Sequence, residues 1–329
     1  MAGNPYIGRR ESIGVGIETV PGTGIAPQAW QRHLALTLDP KTTVVQNKSA
    51  MGRIEDINDS AVTEEWVEGS INGKVTDLTI GYFLANIFGS VAPALHPTET
   101  TVYDNTFSVS SSAIPPSLTF ARVSPVRSRR FAMGTLTDLE IDIKQNDWIQ
   151  ITATVTAKSG VTSTETVAYA NENEFTSKHA VTKIAANIAG LTGATALQIK
   201  SLKLKISRKA ERFTPVGVID PISFDPNSWG VTGTIVTRYT DTTLEDIAFL
   251  NTSQALSIAI VNTDVTIGTA SNPGLVLTAP KVRFSPMTLD NKLDQTLSST
   301  YNFTCELDLI SGYMLKAILT NTQNGYAHA

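Results

Sequence analysis

One phrase is written twice in this chain. Residues 69–80 read GSINGKVTDLTI and residues 233–244 read GTIVTRYTDTTL, 164 positions apart in a chain of 329. Gly69/Gly233, Ile71/Ile235, Thr76/Thr240, Asp77/Asp241 and Thr79/Thr243 are identical, while Ser70/Thr234, Lys74/Arg238 and Ile80/Leu244 keep their chemistry. A tryptophan precedes each copy, Trp66 and Trp229. A stretch that reads as a short amphipathic helix follows each, GYFLANIFG and EDIAFL. A phrase repeated at half the chain length points to a fold built from two similar halves in tandem.

The runs around the repeat alternate with a period of two, which is strand grammar. HLALTLD (33–39) alternates, and LTDLEIDIKQ (136–145) places Leu139, Ile141 and Ile143 on one face. WIQITATVTA (148–157) follows after a Gln-Asn-Asp turn, which predicts a hairpin. In the second half LQIKSLKLKIS (197–207), GTIVTRYT (233–240), LSIAIVN (256–262), APKVRFS (279–285) and YNFTCELDLI (301–310) alternate in the same way. Helical spacing is confined to 77–88, 241–250 and 181–189. Asp77 and Asp241 stand as helix N-caps, since an Asp carboxylate accepts the orphan N–H groups of a first turn.

Each half therefore reads as strand, Asp cap, short helix and further strands. A second echo pairs LTDLEIDI (136–143) with LTAPKVRF (277–284) at an offset of 141. The shorter offset implies a longer connection in the first half, and 92–133 is long and rich in Pro and Ser. The Thr-, Ala- and Asn-rich stretch 160–196 marks the boundary. This gives an N-terminal arm over 1–30, a first β domain over 31–175 and a second over 176–329.

The chemistry of sites is sparse. The four histidines, His33, His96, His179 and His328, lack metal-ligand spacing. PGTGIAP (21–27) lacks the Lys-Ser/Thr of a phosphate cradle. The single cysteine, Cys305, lies in a strand-like run and reads as a buried thiol. No acid, base and nucleophile assemble, so the expectation is a protein without catalysis, cofactor or metal. The formal net charge of −4 argues against a chain that grips nucleic acid. No run reaches the ~18 apolar residues of a membrane span. The N-terminus lacks the apolar core of a secretory signal, so synthesis in a cytoplasm is expected.

Three charged groups remain. Asp138, Glu140 and Asp142 share one strand face, as a solvated face or a surface that repels an anion. Lys203, Lys205 and Lys209, with Ser207, form a complementary ladder that suits a subunit interface. Arg122, Arg127, Arg129 and Arg130 cluster in the stretch before the central hairpin and suit nucleic acid or an acidic protein surface.

Four segments carry a family resemblance: GRRESIGVGIETVPGTGIAPQAW (8–30), SAMGRIEDINDSAVTEEWVEGSINGKV (49–75), YDNTFSV with PSLTF (103–120), and RFSPMTLDNKLDQTLSSTYNFTCELDLI (283–310). Together they resemble the tail tube (major tail) proteins of long, non-contractile tailed bacteriophages, the siphophages, and among them the kind with a duplicated tube domain. The resemblance implies a mainly β fold of two tandem tail-tube-like β-sandwich domains, each with a short flanking α-helix and long loops. It implies a structural virion protein that forms trimeric, pseudo-sixfold rings, with a hexamer as the alternative. Stacked rings would make the conduit for genome ejection.

The partners so implied are other copies of the chain, the tape-measure protein, the tail terminator and the baseplate or tail-tip proteins. Double-stranded DNA would pass through without specific binding. Asp138, Glu140 and Asp142 become candidates for the lumen. Lys203, Lys205, Lys209, Arg127, Arg129 and Arg130 become candidates for subunit interfaces. The loop near 40–65 is expected to touch the next ring, and the arm over 1–30 to order only on assembly. Two other readings stay open: a tube protein of a related bacterial injection apparatus, and a carbohydrate-binding β-sandwich module.

Overall fold

The computed structural model describes residues 6–109, 114–293 and 296–326, so His328 and the first five positions of the expected arm lie outside the described residues. Its first half comprises β1 (Ser12–Ile17), β2 (Ala29–Gln31), β3 (His33–Asn47), β4 (Asp59–Lys74), α1 (Ile80–Phe88), β5 (Gly89–Leu95), β6 (Tyr103–Val109), β7 (Leu118–Val123), β8 (Arg129–Lys144), β9 (Gln150–Ala157) and β10 (Val161–Thr162). The second half comprises β11 (Ala180–Ala185), β12 (Ile199–Phe213), β13 (Ser223–Arg238), α2 (Thr243–Phe249), β14 (Gln254–Val261), β15 (Gly274–Phe284), β16 (Thr288–Asp290), β17 (Ser298–Cys305) and β18 (Lys316–Asn321). The fold is mainly β, as expected, and every pairing between named strands is antiparallel.

Alternation sets the faces. On β8, Leu139, Ile141 and Ile143 are buried, and on β12, Leu202, Leu204 and Ile206 are buried. The residues between them are charged and point to the other side. Helix α1 is buried at all nine positions, as its sequence IGYFLANIF demands. It ends at Gly89, whose φ of 88° only glycine adopts cheaply. Its last carbonyls are taken by the second half. Arg208 Nη1 donates to Asn86 O (3.3 Å) and Ile87 O (3.1 Å), and Trp229 Nε1 donates to Ile87 O (3.1 Å). Burial lowers the Arg208 pKa to about 10.

Two expectations are corrected here. The stretch 181–189 is not helical. It is β11, held along β14 from Ala180↔Ile260 to Ala185↔Ala255, and then a 3-10 turn. Apolar spacing gave way to a strand partner that only the tertiary fold supplies. Nor is 1–30 an arm. β1 pairs with β7 over six residues, and β2 pairs back onto β1. Glu18, just after β1, is buried, accepting hydrogen bonds from Ser117 Oγ (2.7 Å), Thr119 Oγ1 (2.8 Å) and Met133 N (2.8 Å).

The pairings of the two halves match residue by residue. β3 and β12 each have 15 residues and lie 166 positions apart; β4 and β13 each have 16 and lie 164 apart. Both hairpins slip register at the same two places, between His33/Ala35 and Thr43/Val44 in one, and between Ile199/Ser201 and Lys209/Ala210 in the other. The β7–β8 pair slips between Leu118 and Phe120, and the β14–β15 pair between Gln254 and Leu256. Lys74↔Gln150 closes the β4–β9 ladder where Arg238↔Ser298 closes β13–β17. Each slip of one residue would exchange the faces, so matching bulges keep both halves facing the same way.

The counterpart of β8 is split into β15 and β16 by Ser285, Pro286 and Met287. The echo between 136–143 and 277–284 thus falls on corresponding strands, but its offset of 141 is corrected. Gly134 opposite Leu118 and Val282 opposite Gln254 hold the same rung, at an offset of 148. The longer connection in the first half is the β5–β6 hairpin. It joins β18, which in turn pairs with β15.

Candidate assembly surfaces

The ladders string eight strands into one ribbon, in the order β3, β4, β9, β8, β12, β13, β17, β16. One face packs on the core. The other is polar, and one of its rungs runs Ala35, Asn72, Thr152, Glu140, Lys205, Thr232, Thr304 across seven strands. Short polar side chains bond along these rungs, as in Asn72 Nδ2 to Thr152 Oγ1 (2.8 Å) and Thr234 Oγ1 to Asn302 Oδ1 (2.8 Å).

The acidic and basic ladders, expected as separate surfaces, face each other within one chain at the β8–β12 junction. Lys203 Nζ lies 2.6 Å from Glu140, Lys205 Nζ 3.2 Å from Asp138 and Lys144 Nζ 2.5 Å from Asp142, and Ser207 Oγ donates to Asp138. The acidic residues are thus charge-compensated, Asp138 and Glu140 from β12, which follows β8 in the ribbon, and Asp142 from Lys144 of its own strand. Lys209 stands apart, exposed and opposite Ser228. Among the arginines, Arg122 binds Glu11 (2.8 Å) and Arg130 binds Glu165 (2.6 Å). Arg127 donates to Thr162 Oγ1 (3.1 Å), and Arg129 sits across from Arg122.

Both ends of the ribbon are open. Among the described residues β3 pairs only with β4, and β16 only with β17. Their counterparts β12 and the distal part of β8 are paired on both sides. The exposures follow. Ile141 is 1% exposed, while Leu289, its counterpart on β16, is 40% exposed. The β3–β4 tip also projects apolar residues into solvent, among them Val44, Val45, Met51 and Ile54.

Asp77 does not cap α1. The helix starts at Ile80 after an N-cap at Thr79, two residues beyond the Asp77 cap expected from the sequence. The Asp77 carboxylate is spent on the segment between the halves. Asn173 donates to it through its backbone N–H (2.8 Å) and its Nδ2 (2.7 Å), and the Asp77 N–H returns to Asn173 O (3.0 Å). Thr79 Oγ1 donates to Glu172, and Lys74 and Arg32 bind Glu174 at 2.9 and 3.2 Å. Phe175 beyond them is fully buried. Burial pushes the carboxyls of Asp77 and Glu172 above their ordinary values. Nothing in the periodicity of NENEF (171–175) marked it as this strap. Asp241 is likewise not the N-cap of α2, which is Thr242, although its carboxylate accepts the Thr243 N–H at 2.9 Å from one residue outside. Beside α2 the counterpart of the strapped groove is an open cavity of about 660 Å³, lined in part by Arg238, Thr240, Asp241, Thr243, Leu244 and Tyr301.

Among the described residues no cluster of three His, Cys, Asp or Glu could hold a metal ion, and no helix is long and apolar enough to cross a membrane. Burial pushes the Cys305 thiol up to about 12, which keeps it from acting as a nucleophile at neutral pH. No curated protein matches the chain at a significant level. The family model described as phage tail tube protein matches residues 8–305. A β-rich chain with open ribbon ends, matched over nearly its whole length, belongs to the phage tail tube protein family and has its place in the virion tail.

Proposed function

We propose that the chain polymerises into stacked rings that form the tail tube of a siphophage. Each copy supplies two wedge-like domains, divided within 163–179, the first of which includes β1 and β2. Three copies then close a ring with pseudo-sixfold symmetry. The observation that carries this reading is the pair of open edges, β3 and β16, at positions whose counterparts β12 and β8 already pair inside the chain. A heterologous contact that repeats by rotation closes into a ring. Strand addition between copies satisfies the open edges, which otherwise invite aggregation.

The polar face of the ribbon, with Asp138, Glu140 and Asp142, faces the lumen in this reading. A surface of Thr, Ser, Asn and compensated charge offers a passing duplex no basic patch to hold it. The tube encloses the tape-measure protein before it conducts DNA, and its ends meet the terminator and the tail tip. The exposed β3–β4 tip reaches the next ring. The protein has no catalytic role.

Electron microscopy of the concentrated protein tests this. End-on class averages should show rings with threefold symmetry and six similar densities. A ring with six copies would remove the two-wedge assignment. Assembly that never yields rings or tubes, including in purified virions, would remove the reading itself.

A further inference from the structure

The two halves differ at one place where their matched registers call for sameness. Lys74, Thr76, Asp77 and Thr79 hold the strap at Glu172–Phe175 against the first half. The residues 164 positions later, Arg238, Thr240, Asp241 and Thr243, line a cavity of about 660 Å³ that no described segment fills. The repeated phrase is thus a docking groove written twice and occupied once.

The missing occupant can be identified by position. The strap runs through a 3-10 turn, Ser177–His179, straight into β11. A 3-10 turn at Gly8–Arg10, 169 positions earlier, leads into β1. The two strands hold equivalent places: Ile13 faces Arg122 on β7, and Thr182 faces Ile258 on β14. At the same offset Asn4 stands where the strap has Asn173, and Tyr6 where it has Phe175. Phe175 is fully buried, whereas Tyr6 and Ile7 are 55% and 64% exposed. Two apolar side chains thus lie outside the core, Tyr6 with the Arg10 guanidinium 5.8 Å over its ring, and one site lacks its aromatic side chain.

The strap precedes the second half and fills the groove of the half before it. The arm precedes the first half, and in the proposed ring the half before that one is the second half of the neighbouring copy. We propose that residues 3–7 of each copy dock in the α2-side groove of its neighbour, with Tyr6 in the cavity and Asn4 on Asp241. The inference rests on the ring reading above. The match is not complete, because Pro5 stands where Glu174 binds Lys74 and Arg32. The arm therefore brings no carboxylate to Arg238, and its hold is weaker than that of the covalently tethered strap.

The test is a cross-link in full-length protein carrying Asn4→Cys and Asp241→Cys. Cys305 can stay, being buried. Oxidation of assembled rings should give dimer and trimer bands on a non-reducing gel, with a peptide map that joins the two new cysteines. The matching pair Asp77→Cys and Asn173→Cys should close within single chains and sets the expected rate. Rings that form without the cross-link, or with it only inside single chains, overturn arm exchange and leave the ring reading standing. Wild-type protein that forms no rings counts against the ring reading, and arm exchange falls with it. A chain lacking residues 2–7 should melt like wild type yet need at least tenfold more protein to assemble. Unchanged assembly would overturn the proposal.

Discussion

Asp77 and Asn173 are bonded three times over: two donations from Asn173 to the carboxylate, at 2.8 and 2.7 Å, and one from the Asp77 N–H to Asn173 O at 3.0 Å. The pair ties the segment between the halves to the start of α1. Asp77→Ala leaves two part-buried donors without an acceptor, which costs about 2–3 kcal/mol for hydrogen bonds to a charged group. Asp241→Ala, at the exposed counterpart, removes one first-turn bond and costs the isolated chain about 1 kcal/mol. Denaturant unfolding of the two variants measures the difference, and equal losses would contradict the assigned role of Asp77.

Glu172 lies in the same strap with its Oε2 unpartnered, although the Thr76 hydroxyl faces it. Burial raises its pKa above the ordinary 4.5. A raised carboxyl favours the folded state below the unfolded value, and that contribution is lost as pH rises through the folded value. Glu172→Gln keeps the acceptor for Thr79 and offers Thr76 a donor. It should raise the melting temperature at pH 7, and the gain should fade as pH falls through the raised folded value and be gone below 4.5. A gain that grows on acidification would reverse the sign and reject the account.

Much of the fold was legible because strand alternation is local. Leu139, Ile141 and Ile143 declare the buried face of β8 without help from elsewhere. The repeat was legible at Thr76 and Asp77 because Thr240 and Asp241 repeat them 164 positions later. The second echo misled by seven residues, since a shared Leu-Thr before an alternating run does not fix a register, which the pairings Leu118↔Gly134 and Gln254↔Val282 do. The role of Asp77 was hidden for another reason. Asp before an apolar run reads as a cap unless its true partner is known, and Asn173 lies 96 positions away. The charged ladders were found, but their meeting depended on which strand neighbours β8.

Gly81 sits in the first turn of α1 with no room for a side chain. A methyl there would overlap the Tyr326 ring, which is buried and donates from its OH to Leu78 O (2.8 Å). Helix propensity alone favours Gly→Ala by about 1 kcal/mol. Overpacking opposes it by about 1–3 kcal/mol. Gly81→Ala is therefore expected to destabilise, and in a chain ending at Asn324 the same substitution should be neutral or stabilising. Thermal melts of the four chains form a double-mutant cycle, and additive effects would rule out the clash.

Lys203 and Glu140 join the halves across the β8–β12 junction at 2.6 Å, but the lysine is half exposed. Such a pair contributes only about 0.2–1 kcal/mol. Lys203→Glu should cost about 1 kcal/mol by setting a carboxylate opposite Asp142 and diagonal to Glu140. Adding Glu140→Lys should recover part of that loss, since it restores the pair with residue 203 but sets a second lysine opposite Lys205, and the recovery should shrink in 1 M salt. A recovery indifferent to salt would mean that packing, and not charge, holds this junction.

Leu289 probes the open edge. Inside the chain Ile141 lies opposite Leu204. Carried over by the offsets of 148 and 166, that rung becomes Leu289 of one copy against Leu38 of the next. Leu289 is 40% exposed on a three-residue strand, so Leu289→Lys should change the stability of the isolated chain by no more than about 0.5 kcal/mol. In the ring it would bury a lysine against a leucine, at a cost that repeats at every junction between copies. Sedimentation velocity should then show monomer at concentrations where wild type assembles, with an unchanged melting curve at low concentration. Normal assembly of the variant would place the contact between copies on another edge.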